Sequence, residues 1–201
     1  VLKGQPTLAI MPTGAGKSLC FQLPALVFPG TTIVVSPLIA LMKDQKSKLD
    51  NLHIETIEMS STLRGAEQLE NVELAKSGKA EFLYITPERL SSSEFLQYMK
   101  GVKIDLLVID EAHCISQWGH DFRPAYLSVV EAWRHLGKPQ ILALTATATA
   151  EVIEDIKKQL ALPGLQVFSS GVLRKNLFYE ALLLDKEEEK TEKILELLRD
   201  L

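Results

Sequence analysis

The sequence predicts an α/β fold whose central sheet is mostly parallel and carries helices on both faces. Short apolar runs rich in Val, Ile and Leu alternate with helical patterns along the chain, the order expected of such a sheet. The runs do not alternate cleanly with polar residues, which suits strands buried on both sides. A glycine-bearing turn, Thr13-Gly14-Ala15-Gly16-Lys17-Ser18, falls between the first apolar run and the first helical pattern. At 201 residues the chain can form one substantial domain, burying roughly 70% of its unfolded surface.

Strands are expected at Thr7–Met11, Thr32–Ser36, Glu55–Glu58, Glu81–Ile85, Leu106–Asp110, Gln140–Thr145 and Gln166–Ser169. Helices are expected to begin at Lys17, Leu38, Thr62, Ser93, Ala125 and Thr149. Thr62 with Glu67 makes a capped start whose glutamate is off the ideal position. Lys186–Lys193 is almost entirely charged and reads as a solvated helix face, with Glu189 and Lys193 as a favourable i,i+4 pair. Ile194, Leu197, Leu198 and Leu201 fall on one face of that helix. The chain starts at Val1 and stops inside this pattern, so a piece of a longer protein is expected. The expected division is 1–174 for the main body and 175–201 for a connector and helix.

Composition excludes little. The chain is 46% hydrophobic and 24% charged, with a net charge of -4. A protein touching nucleic acid along one face can be acidic overall, so the charge decides nothing. Two cysteines, Cys20 and Cys114, give no disulfide framework and fit a reducing compartment, cytoplasmic or nuclear. No apolar run approaches the roughly 18 residues of a membrane span, and the first residues lack the layout of a signal peptide.

The strongest signal is Met11-Pro12-Thr13-Gly14-Ala15-Gly16-Lys17-Ser18. A nucleoside triphosphate needs amide donors, a cation and a metal-holding hydroxyl in one small concavity. Gly14 and Gly16 let successive N–H groups curl towards phosphate. Lys17 then reaches the outer phosphates and Ser18 holds Mg²⁺. Met11 stands where the full pattern has its first glycine. The second signal is the apolar run Leu106–Ile109 ending in Asp110-Glu111-Ala112-His113. Asp110 is the candidate partner of Mg²⁺. Glu111 is the candidate general base for the attacking water, and His113 the coupler to the threonine-rich segment beyond.

These motifs resemble those of superfamily two helicases, in the same order: Pro12–Ser18, Ser36–Gln45, Thr86–Leu90, Asp110–His113 and Thr145–Thr149. The stretch Asp110–Tyr126, DEAHCISQWGHDFRPAY, is more specific and resembles the RecQ DNA helicases over nearly the whole chain. The resemblance implies the first of two RecA-like lobes, a P-loop three-layer sandwich. It also implies ATP with Mg²⁺ as cofactor and single-stranded and forked DNA as partner, unwound 3′ to 5′ in recombination and repair. By that resemblance Trp118, Phe122, Arg123 and Tyr126 sense single-stranded DNA, and Thr145 and Thr147 link nucleotide state to the strand. Position 125 is alanine where the family usually has glutamate, which puts loop signalling in question. The adenine-reading glutamine, second lobe, arginine finger, zinc-binding and winged-helix regions of the family are not in this sequence.

From the residues themselves, Ser36, Lys43, Gln45, Thr86, Arg89 and Arg123 offer donors at strand ends or helix starts, where open α/β folds bind ligands. For Ser36 and Thr86, each followed by proline, plain turn chemistry is the alternative. Trp118, Phe122 and Tyr126 have the spacing of a helical core stripe, but Gly119 and Pro124 among them suggest a loop that stacks bases. His113, Cys114 and His120 are too few and too irregularly spaced for a closed metal cage, so no zinc is expected. The piece alone is expected to be monomeric. An RNA helicase, or a nucleic-acid-binding module with a dead ATPase, are the competing readings.

Overall fold

The computed structural model describes residues 1–59, 66–169, 171 and 177–199, leaving out the side chains of 66, 68 and 69. The expected capped start at Thr62, the 174/175 boundary and Leu201 lie outside the described residues.

Seven strands form one sheet: β1 (Thr7–Ile10), β2 (Thr31–Val35), β3 (Thr56–Met59), β4 (Phe82–Ile85), β5 (Ile104–Ile109), β6 (Gln140–Thr145) and β7 (Gln166–Ser169). Their order is β3-β4-β2-β5-β6-β1-β7, and every pair is parallel. The expected mostly parallel sheet is therefore wholly parallel among the described strands. The helices are α1 (Leu19–Ala25), α2 (Ile39–Asp50), α3 (Ala66–Lys76), α4 (Pro87–Leu90), α5 (Ser93–Tyr98), α6 (Val129–His135), α7 (Ala150–Leu160) and α8 (Glu187–Arg199).

The pleat explains why these strands read as unbroken apolar runs. Successive side chains point to opposite faces, and both faces are covered. In β5, Leu107 and Ile109 enter one core while Leu106 and Val108 enter the other. β4 divides likewise, Leu83 and Ile85 against Phe82 and Tyr84. The larger core is closed by Val72 of α3, Phe95 of α5, Val129 of α6 and Ile156 of α7. The smaller is closed by Phe21 of α1 and Met42 and Leu49 of α2. Helix, sheet and helix make three layers.

Several boundaries move for local reasons. The first helix begins at Leu19 rather than Lys17, because the loop is still turning through Gly16 at φ +85°. Thr149 is the N-cap of α7, its hydroxyl accepting from the Val152 N–H at 3.3 Å. Pro124–Ser128 is a 3₁₀ turn, and the α-helix expected from Ala125 starts only at Val129. Helix α4 and a 3₁₀ turn at Ala112–Ile115 are too short to show a period. In α8 Lys193 pairs with Glu196 at 2.7 Å, Ile194, Leu197 and Leu198 are exposed, and no described residue is buried.

Gly30 marks a tight approach before β2. Its N–H donates to the Asp105 carboxylate at 2.7 Å, and a Cβ there would lie 2.7 Å from the Lys103 carbonyl oxygen. Gly30→Ala is expected to destabilise the chain by about 1–3 kcal/mol, the usual cost of overpacking. An unchanged urea midpoint would contradict the close approach.

Candidate nucleotide site at the carboxyl edge of the sheet

In a wholly parallel sheet all carboxyl ends lie on one edge. The backbone ladder runs one rung past the strands. The N–H of Met11 donates to the Thr145 carbonyl at 3.0 Å, that of Ser36 to Ile85 at 3.0 Å and that of Asp110 to Val35 at 2.9 Å. Each residue leaving a strand is thus fixed before its loop begins.

Beyond Met11 the chain curls through Gly14 at φ +83° and Gly16 at φ +85°, conformations that favour glycine. Met11 itself has no positive φ, so a glycine there is not needed for the turn. Its side chain packs against the smaller core beside Cys20, with Sδ 3.6 Å from the Cys20 Sγ, and its carbonyl accepts from the Lys17 Nζ at 3.3 Å. The backbone N–H groups of Gly16, Lys17 and Ser18 donate to none of the described residues, and the Ser18 side chain does not cap α1. Three amides, an ammonium and a hydroxyl converge, the donor set that a polyphosphate and its cation require.

Opposite them stand two adjacent carboxylates with opposite tuning. Burial, then the charge of Glu111, pushes Asp110 up from 3.8 to about 6. Its Oδ1 accepts from the Glu111 N–H at 3.0 Å. The Glu111 carboxylate is held below its usual range by its contact with the His113 imidazole, Oε2 to Nδ1 at 3.3 Å. Glu111 adopts φ +50°, ψ +46°, a left-handed conformation costly for a residue with a Cβ. The Tyr126 hydroxyl braces the turn by donating to the Asp110 carbonyl at 2.9 Å. Lys17, Ser18, Asp110 and Glu111 share a cleft of about 390 Å³ with Gln45 and Tyr84.

A chain of hydrogen bonds leads out of the cleft. The Thr145 hydroxyl donates to the Thr147 carbonyl at 3.1 Å and accepts from the Thr147 N–H at 3.4 Å. Its one proton is committed, so at 3.0 Å it accepts from His113 Nδ1, which fixes the Nδ1–H tautomer. His120 stacks on the His113 ring at 4.3 Å between centroids. Gly119 permits this folding back, since a Cβ there would meet the His113 carbonyl oxygen at 2.4 Å.

The expected nucleic-acid residues divide. Residues 116–123 form a loop, not a helical stripe. Trp118 is 77% exposed and Phe122 half-buried. Tyr126 is 1% exposed, so as placed it offers no face for a base to stack on, and its hydroxyl braces Asp110. Arg123 pairs with Asp121 at 3.1 Å and donates to the Pro37 carbonyl at 3.3 Å. The Thr86 hydroxyl caps α4, accepting from the Arg89 N–H at 3.4 Å, and Arg89 pairs with Glu94 at 2.9 Å. Ser36 and Thr145 are buried, while Lys43 and Thr147 are exposed. Gln45 accepts from Gln22 at 3.1 Å and lines the nucleotide cleft. Tyr84 in that cleft and the His120 stack were not expected, because a tyrosine inside an apolar run reads as core and ring stacking leaves no spacing pattern.

A family model described as DEAD/DEAH box helicase matches residues 1–156. The chain is 51% identical over 177 residues to "ATP-dependent DNA helicase RecQ" of Bacillus subtilis, covering 88% of this chain and 30% of that protein. It is 43% identical to the Haemophilus influenzae protein of the same name, covering 89% of this chain and 29% of that one. "Probable ATP-dependent DNA helicase RecS" of Bacillus subtilis is 39% identical over all of this chain and 40% of its own length. The chain therefore spans about a third of these relatives. Among solved structures, the Pyrococcus furiosus Hef helicase domain matches with TM-score 0.64 at 20% identity, over 83% of this chain and 36% of that one. The helicase MrfA bound to DNA matches with TM-score 0.66 at 22% identity, over 84% and 24%. Both share the RecA-like three-layer fold. With its phosphate loop, its Asp-Glu-Ala-His turn and a family match spanning most of its length, the chain belongs to the DEAD/DEAH box helicase family.

Proposed function

We propose that the chain is the nucleotide-binding motor lobe of a RecQ-type DNA helicase. It binds ATP with Mg²⁺ and single-stranded or forked DNA, and with a second lobe it couples hydrolysis to 3′-to-5′ unwinding in recombination and repair. One observation carries this reading. The free amides of the phosphate loop face a buried Asp110–Glu111 pair whose histidine is wired, through Thr145, to a second loop at the same sheet edge. The similarity of Asp110–Tyr126 to RecQ proteins supports DNA as the partner, and a motor of this kind works in the nucleoid or nucleus.

The donor set fits Mg²⁺ with a triphosphate. Ser18, whose hydroxyl is not spent on a cap, and Asp110, a buried carboxylate, would hold the cation. Bound there, it neutralises charge on the phosphoryl oxygens. Lys17 and the amides of Gly16–Ser18 hold and orient the outer phosphates. Glu111, ionised and oriented by His113, accepts the proton of the attacking water. Because His113 also bonds Thr145, any shift of the Thr147 loop is felt at Glu111. Trp118 and Phe122 lie on the loop folded over His113, where a DNA strand can move it.

Steady-state ATPase of the full-length parent should rise with single-stranded DNA, and Lys17→Ala should lower it by at least about 10²-fold. A preference for single-stranded RNA would move the protein to the RNA helicases. No response to either nucleic acid would leave a nucleotide-binding module. The 201-residue chain alone lacks the second lobe's arginine, a group worth about 10³–10⁵ in rate, so it should bind nucleotide but turn over almost none. A brisk, DNA-stimulated rate from the chain would overturn the two-lobe reading.

The tuning of Asp110 gives a pH signature. Its acid form predominates below about 6 and offers no charged ligand, so protons compete with the cation. Mg²⁺-assisted binding of a fluorescent ATP analogue should be intact at pH 7.5 and weaken below about pH 6, towards tenfold per pH unit. Asp110→Asn should bind weakly and without that slope. For stability the sign is opposite. A carboxyl whose folded pKa is raised makes the native state less stable as pH climbs from about 4 to 6, because the charged form must then be buried. A flat binding profile across pH 5 to 7.5 would remove Asp110 from the cation site.

A further inference from the structure

We propose that His113, Cys114 and Asp121 form a binding site for a soft divalent cation of the Zn²⁺ class, at the joint between the Asp-Glu-Ala-His turn and the aromatic loop. One imidazole nitrogen, the Cys114 Sγ and a carboxylate oxygen of Asp121 all lie within 4.8 Å of one another. The Sγ stands 3.9 Å from the Asp121 Oδ2. A tetrahedral zinc with legs of about 2.3 Å to sulfur and about 2.0 Å to oxygen needs that edge near 3.5 Å. That edge thus needs to shorten by only about 0.4 Å and the others by at most about 1.5 Å, and two of the three ligands are buried.

The surroundings favour a metal-binding histidine. His113 commits Nδ1–H to Thr145 and to the Glu111 carboxylate, which leaves the Nε2 lone pair uncommitted. A carboxylate behind the far nitrogen is the usual support of a zinc-bound imidazole. The loop is fixed in register: the Arg123 N–H donates to the Cys114 carbonyl at 3.0 Å, and Gly119 allows the close turn that brings Asp121 over Cys114. A fourth position falls to water or to exposed His120, already stacked on His113. On binding, the Cys114 thiol releases its proton to solvent as the sulfur–metal bond forms, and Asp121 exchanges Arg123 for the cation. Sulfur and imidazole select Zn²⁺ over Mg²⁺, so the site does not compete for the nucleotide's cation. The expectation of no zinc rested on His113, Cys114 and His120 alone and omitted Asp121, which only the folded loop brings within range.

The binding does not depend on the motor reading, and the test uses the chain itself. Tag-free chain under a phosphine reductant is titrated with Co²⁺. The expected result is one equivalent bound, with tetrahedral visible bands and a near-ultraviolet sulfur-to-cobalt band, both displaced by one equivalent of Zn²⁺. Cys114→Ser should lose the sulfur band, and Cys20→Ser should keep it. Asp121→Asn, at an exposed position, should weaken Co²⁺ binding by at least about tenfold. Absence of a sulfur band, its loss in Cys20→Ser, or unchanged affinity in Asp121→Asn would each overturn the site, the last even if Cys114→Ser fails to fold.

Discussion

Parallel strand pairing is the constraint on which the rest of this molecule depends. Parallel strands need crossovers, crossovers put helices on both faces, and double coverage favours apolar side chains on both faces of the central strands. The same parallelism sends all strand ends to one edge. There the ladder's extra rungs, Met11 on Thr145, Ser36 on Ile85 and Asp110 on Val35, fix the first residue of each functional loop against a rigid neighbour. Residues far apart in the chain meet because the backbone leaves them no other place.

Within that frame the chemistry rests on making two consecutive carboxylates unlike each other. Asp110 is buried and rises; Glu111 leans on His113 and falls. Environments that push neighbouring acids apart are the usual way to assign them separate roles. The left-handed turn at Glu111, a conformation costing of order 1–3 kcal/mol, sits between the two carboxylates and the 3₁₀ turn that carries His113. Tyr126 holds that turn from beneath through the Asp110 carbonyl. The aromatic residue that reads as a partner for nucleic acid is thus a prop for the acidic turn.

Much of this was legible in the sequence, for identifiable reasons. Phosphate chemistry needs Gly14, Gly16, Lys17 and Ser18 within one short turn, so the loop reads directly. Likewise Asp110 follows an apolar run that has no alternative but a strand. What escaped depends on tertiary placement. Tyr126 and Trp118 share one spacing, yet one is buried and the other exposed, because the loop 116–123 breaks the helical period between them. Thr86 resembles a ligand donor but spends its hydroxyl on the cap of α4. Gln45, read as a DNA contact, lines the cleft beside Lys17 and accepts from the Gln22 amide of α1. No local pattern could distinguish these outcomes, since each is decided by a residue distant in sequence.

The place of β1 has a consequence for the order of assembly. It is the first strand in the chain, yet its neighbours are β6 and β7, with Thr7 opposite Leu142 and Gln166. During synthesis at about 5–20 residues per second, roughly ten seconds pass before either partner exists. Until then β2, β4 and β5 can pair among themselves, while Thr7–Ile10 and the loop they anchor have no edge to join. Long closure costs only logarithmically more entropy, but it delays the event, as non-local pairings do. The phosphate loop is therefore seated only once β6 has emerged, and β7 can join the sheet only after β1 is in place. The edge strand made last among those described thus depends on the strand made first, and the sheet closes from its middle outwards.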